Sequence, residues 1–343
     1  MTKLLTPSWL VIKIMLCLTV LSAVMFSCSL VGTQKISLPA VIAGLAGMPG
    51  QNSDYDILVR VRIPRIIVAA LVGAALAASG VVLQAILRNP LAEPYILGIS
   101  SGAALGAITA AMLGASWRSW AGSPIAGFAF LFALGTVWLV WLVGHLAGGS
   151  AVMSLLLAGV VVNAFFSAVI MLLTSLINSQ QLRSTIFWLM GNITEKDSST
   201  LLLSGILITA GIVGLFGLCR KLNVLTLGQQ EAQSLGVNPR TVTLAAFALA
   251  SLVTAVAVGL SGLVGFVGLI IPHSVRLVFG PDHRQLLPAS ALLGAAFVVV
   301  CDTIARTIIA PAQLPVGVIT AVIGGPVFLL LLARHSRRIG ILR

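Results

Sequence analysis

The sequence predicts an all-α, polytopic membrane protein of about ten transmembrane helices, and three observations predict it. Charged residues make up only 8% of the 343 residues, against 59% hydrophobic. A water-exposed surface takes about 25% charged residues, so this chain could not build one. The mean hydropathy is +1.11. The apolar residues also come in unbroken runs of helical length, where a membrane β-barrel would show roughly ten-residue alternating segments. The 34 glycines suit helices packed closely through small side chains.

A helix needs about 20 apolar residues to cross the hydrocarbon core, and on that rule the spans follow in order. The run 9–31 resembles a secretory signal in position only. It is too long, carries Lys13 and lacks an A-x-A-like site, so it is expected to stay as the first span. Spans 64–86 and 95–113 are parted by "RNPLAEP", where Pro90 and Pro94 stop helix continuation and Asn89 suits a turn. Runs 124–147, 151–177 and 199–219 come next. Residues 241–272 carry no charge, and as one helix they would reach about 48 Å, well beyond the ~30 Å core. Gly259, Ser261, Gly262 and Gly265 offer a place to turn, which divides the run into 241–260 and 263–279. Spans 287–305 and 314–333 complete the ten, and an even number puts both termini on one side.

Lys and Arg orient the bundle, because cytoplasmic segments carry the excess. With the N-terminus inside, twelve lie on cytoplasmic segments and eight on outer ones, and the tail "RHSRRIGILR" is the clearest inside marker. The formal +12 therefore reflects orientation in a lipid bilayer, and no nucleic-acid partner is expected. The whole chain, 1–343, reads as a single transmembrane domain with a polar cytoplasmic segment at about 220–240.

Enzyme chemistry finds no foothold. The five lysines follow Thr, Ile, Gln, Glu and Arg, so no Gly-Lys-Ser/Thr is present to cradle phosphates. There is no carboxylate pair, activated nucleophile or metal-ligand spacing, and no cofactor is expected on the chain itself. The four cysteines sit in or beside apolar runs without CxxC spacing, as small buried hydrophobes do. An ion-coupled secondary transporter, the alternative from another class, usually places acids within its spans. Here the eight acids fall at span ends or in loops.

Four ordered blocks carry a resemblance over roughly residues 55–335. They are "RIPRIIVAALVGAALAASGVVLQAILRNPLAEPYILGISSGAALGA", "LNVLTLGQQEAQSLGV", "GLVGFVGLIIPHSVRLVFGPDHRQLLPASALLGA" and "LPVGVITAVIGGPVFLLLL". They resemble the FecCD/BtuC-type permeases, the membrane subunits of type II ABC importers for iron-siderophores, haem and cobalamin. The resemblance implies ten helices, a second permease subunit (a homodimer is expected), and two cytoplasmic ATPase subunits that hold ATP and Mg. It also implies a soluble or lipid-anchored substrate-binding protein and a place in a bacterial-type inner membrane. Iron-siderophore is the expected cargo, with cobalamin or haem as alternatives.

The resemblance also implies roles for residues. Arg62, Arg65 and Arg306 would receive acidic residues of the binding protein, where opposite charges steer encounter and fix register. Snorkelling ends and an Asp302–Arg306 pair at i, i+4 are the structural alternative. The segment "GQQEAQSLGVNPR", with Gly228, Glu231, Ala232, Leu235 and Gly236, would be the coupling helix seated on the ATPase. Asn89 and Leu91 are candidates for a cytoplasmic gate. Ser100, Ser101, Asn163, Ser167 and Thr174 are candidates to line the pathway, or else buried hydroxyls that pack helices. His273, Arg276, Asp282, His283 and Arg284 read as structural polar anchors near the cytoplasmic side.

Overall fold

A computed structural model describes residues 7–37, 39, 41, 53–114, 124–146 and 151–339. Arg118 and Arg343, which entered the charge count, lie outside them, as do Lys3 and the connectors 115–123 and 147–150.

Among the described residues all regular structure is helical, a four-residue helix at Ser53–Asp56 included. The helices are α1 (Pro7–Leu30), α2 (Ile63–Ile86), α3 (Ile99–Met112), α4 (Pro124–Leu146), α5 (Ala151–Leu176) and α6 (Ser179–Leu189). They continue with α7 (Ser198–Gly217), α8 (Cys219–Leu225), α9 (Gln229–Ser234), α10 (Pro239–Ser261), α11 (Val267–Phe279), α12 (His283–Thr307) and α13 (Val316–Ile339). Seven helices are long and apolar enough to cross a membrane, and α3, α11 and the Val316–Leu331 part of α13 are shorter apolar helices. Seven and three make ten, at the ten expected positions.

Helix starts follow local chemistry. Asn178, Asp197, Asn238 and Asp282 cap α6, α7, α10 and α12, each side chain accepting a backbone N–H of the first turn. A π-helical turn, Ile57–Arg62, leads directly into α2. Pro64 lacks the N–H that would continue a regular helix there, and the widened turn absorbs the mismatch.

Helices α2, α10 and α12 form the core, and α2 packs chiefly on α12, α10 and α11. The best apolar windows of α2 and α10 are 78% and 72% buried, against 6% for α1 and 22% for α5. Lipid is the solvent for the outer shell, so Leu157, Phe165 and Leu172 on α5 stay exposed. The core helices meet through glycine. A methyl group at Gly80 would collide with the Gly268 backbone of α11, and one at Gly73 with the Gly294 backbone of α12.

Two spans depart from the expected plain helices. Residues 95–113 form a 3-10 turn, Pro94–Leu97, then Gly98 with φ 77°, then the 14-residue α3. The run 241–272 turns at Gly262, with φ 68°, after a helix that passes uninterrupted through Gly259 and Ser261. The next helix does not begin until Val267, because 262–266 is not helical. At 1.5 Å per residue, α3 and α11 measure only about 20 Å, short of the ~30 Å core. Gly268 touches Leu76 and Gly80, inside the length of α2, so α11 starts at membrane depth. Irregular backbone is tolerated there only where protein surrounds it.

Candidate functional site: the two ends of the bundle

At one end, the start of α2 and the end of α12 bring Arg65 and Arg306 together around Asp302, with Arg62 held nearby. The Arg65 guanidinium forks onto that carboxylate, with Nη2 donating to Oδ1 at 2.9 Å and Nε to Oδ2 at 3.1 Å. Its Nη1 donates to Gln313 Oε1 at 3.0 Å. Arg306 Nε lies 3.4 Å from Asp302 Oδ2, near enough to attract but not aligned for a hydrogen bond, and its Nη2 donates to Thr303. Arg62 donates to the carbonyls of Ser29, in the last turn of α1, and of Gln34 just past it. All three are buried, 4–7% exposed. The pairing of Asp302 with Arg306 foreseen as the structural alternative is therefore present, and the arginines are not free surface donors. Arg60, unassigned from sequence, pairs with Asp56 at 2.9 Å and stays exposed.

Below that end, beside α6 and the tip of α10, a cavity of about 400 Å³ is lined by Ile125, Phe187, Trp188, Asn192, Lys196 and Leu260 among others.

The opposite end gathers the second group of predicted residues. Helix α9 is a single short turn-and-a-half, with Gly228 at φ 151° before it and Gly236 at φ 76° after it. Ala232 is fully buried against the body, while Glu231 and Gly236 are exposed. Two leucines flank the helix and point outward, Leu227 at 65% and Leu235 at 62% exposed. Asn238 caps α10 immediately after.

The predicted gate turn lies next to α8. Arg88 adopts φ 48° and donates to the Leu225 carbonyl at 2.9 Å, which ties the turn to the segment leading into α9. Asn89 Oδ1 accepts the Leu91 N–H at 2.9 Å, so the turn is stapled by its own side chain. Both Asn89 and Leu91 are exposed.

Polar anchors at this end form one network. Asn223 donates to Asp282 and accepts from His283 N and Nδ1, and Arg284 forks onto Asp282. Desolvation raises Asp282, but hydrogen bonds from Arg284 and Asn223 outweigh it and bring the carboxyl down to about 2. Lys13 of α1 reaches Gln285 Oε1 at 2.7 Å and the Phe279 carbonyl, so a lysine that sequence left unexplained pins the first span to the core.

The pathway candidates divide. Ser100 and Ser101 are buried, 8% and 7% exposed, in α3, where the neighbouring Gly102 abuts Thr136 of α4. Ser101 returns its hydroxyl to the Gly98 carbonyl, as a helix-packing serine does, whereas the buried Ser100 hydroxyl has no partner within the chain. Ser167 and Thr174 return their hydroxyls to carbonyls of their own helix α5, and Asn163 is half-buried on that helix. Sequence reasoning missed Gln84, which donates to the Gly268 and Leu269 carbonyls and accepts from Arg276. It also missed what Glu93 and Tyr95 hold. Phe266 N donates to Glu93 Oε1 at 2.6 Å, and the Tyr95 hydroxyl donates to Val264 O at 2.5 Å and accepts from Val264 N at 2.6 Å. An acid and a tyrosine crowded among prolines were the available signal.

Similarity to known proteins agrees with this arrangement. The chain is 41% identical over 303 residues to the hemin transport system permease HmuU of Yersinia pestis, covering 84% of this chain and 86% of that one. It is 42% identical over 285 residues to the cobalamin import system permease BtuC of Halobacterium salinarum, covering 81% and 73%. A metal-chelate type ABC transporter solved in an inward-facing conformation superposes with a TM-score of 0.81 at 34% identity, covering 94% of this chain and 98% of that one. The FecCD transport family model matches residues 17–334, and the chain belongs to that family.

Proposed function

We propose that this chain is the non-catalytic membrane subunit of an ATP-driven importer for a metal chelate, with an iron-siderophore as cargo. Two copies would enclose the pathway in a bacterial-type inner membrane, both termini in the cytosol. Two separate ATPase subunits would hold ATP and Mg, and a soluble or lipid-anchored binding protein would deliver the cargo. The similarity to a metal-chelate type transporter and to a hemin permease supports the class of cargo. The same relatives favour haem or cobalamin as the second reading.

The observation that carries the partner assignment is α9. Two exposed leucines, Leu227 and Leu235, flank a polar, glycine-bracketed helix and offer an apolar contact at a surface that is otherwise polar. They fit a groove on a cytosolic partner. A short helix anchored only by Ala232 transmits a partner's movement to α8 and α10, against which it packs. The arginine end faces outward in this reading. Arg65 and Arg306 around one aspartate leave a net positive charge, and its field, not a free guanidinium, would attract acidic residues of a binding protein.

Co-purification tests the assignment. Leu235→Glu puts a charge where an apolar anchor sits, and should weaken retention of the ATPase subunit at least tenfold, equal to about 1.4 kcal/mol. The helical spectrum and melting of the chain should be unchanged. Full retention of the ATPase by Leu235→Glu together with Leu227→Glu would remove α9 from the interface.

A further inference from the structure

We propose that Glu93 and Tyr95 are positioning residues: a latch that joins the gate turn at Asn89–Leu91 to the irregular 262–266 segment, so that the two ends of the pathway move together. The proposal rests on reading Asn89 and Leu91 as the inner gate.

The latch is built from three short bonds across two breaks in helical structure. Val264 and Phe266 lie outside any helix, with φ 69° at Phe266. Their N–H groups donate to the Tyr95 hydroxyl and the Glu93 carboxylate, both at 2.6 Å, and Tyr95 donates back to Val264 O. Unpaired backbone N–H groups at membrane depth would be costly, so the segments are expected to move as one body and not to part. On the gate side, Ala92 is buried and its N–H donates to the Asn89 carbonyl at 3.0 Å, which leaves little slack between gate and latch. On the other side, Asn192 N donates to Ser261 O at 2.7 Å, Gly191 abuts the Leu263 carbonyl, and Gly317 N reaches Gly191 O at 3.4 Å. That continues the body to the end of α6 and the start of α13, next to the arginine end. A contiguous body of this kind carries coupling only if both ends bias it, and the experiment asks that directly.

The complex of permease and ATPase is prepared with Leu91→Cys, and its labelling by a thiol reagent is timed with and without nucleotide. The four native cysteines are buried, which keeps the background low and makes them reporters of general loosening. Adding loaded binding protein at the arginine end should change the labelling rate at Leu91→Cys several-fold. Adding Tyr95→Phe or Glu93→Ala should reduce that change to less than a third, with the native cysteines still unreactive. Glu93→Gln keeps an acceptor oxygen for Phe266 N and should retain the response, which a general packing defect would not restore. An undiminished response in both Tyr95→Phe and Glu93→Ala overturns the latch. A Leu91→Cys site that ignores both nucleotide and binding protein with the latch intact shows instead that the gate assignment has failed, and the latch falls with it.

Discussion

Asp302 shows how much rests on one side chain. It is 1% exposed and faces the Arg65 and Arg306 guanidiniums, so its removal leaves two buried cations without a counterion. Breaking such a group by deleting one partner costs about 3–5 kcal/mol. Asp302→Ala should lower the melting temperature of the purified chain sharply, and adding Arg65→Met should recover part of the loss. Equal and additive losses would mean the charges do not interact. Half of this cluster was readable in the sequence, because Asp302 and Arg306 stand four apart on a helix. The stronger bond was not, since Arg65 lies 237 positions away and only the fold brings it there. The same holds for Glu93 and Tyr95, whose partners are backbone groups with no sequence signature.

Elements were legible where length decides and obscure where depth does. The chain had to break within 241–272 because one helix would overshoot the bilayer, and it does so at Gly262. That α11 starts late, at Val267, follows from its crossing with α2, which periodicity does not reveal. Gly80→Val tests that crossing: it should push α11 away from α2 and cost several kcal/mol, as overpacking does, read as loss of monodisperse protein in detergent. Helices α6, α8 and α9 were not expected as helices of their own, apart from the coupling stretch, since each is too short or too polar to signal a span.

The cap of α12 gives a pH signature. Desolvation raises the Asp282 carboxyl, but hydrogen bonds from Arg284 and Asn223 hold it at about 2 in the folded chain, below the usual carboxylate value, so the unfolded chain binds more protons between those values. The stabilisation is therefore complete above the usual carboxylate range and is lost as pH falls toward about 2. Melting curves should decline across that window, and Asp282→Asn should flatten it. A wild-type curve already flat from about pH 5 to about pH 2 would mean that Asp282 is not held ionised.

At the scale of the whole molecule, hydropathy and span length were enough to place ten apolar helices, while the orientation rests on the charge asymmetry alone. Neither could locate the pathway. Ser100 and Ser101 on α3 and Asn163 on α5 look alike in the sequence, since a hydroxyl or amide that lines a path and one that packs helices leave the same residue pattern.

The central claim is that this chain supplies a route and no energy. Purified chain in vesicles, supplied with an iron-siderophore, tests it in paired preparations with and without its ATPase and binding protein. Accumulation against a gradient should occur only in the complete complex and only with ATP and Mg. Uphill accumulation by the chain alone, driven by a proton or sodium gradient, would contradict the account.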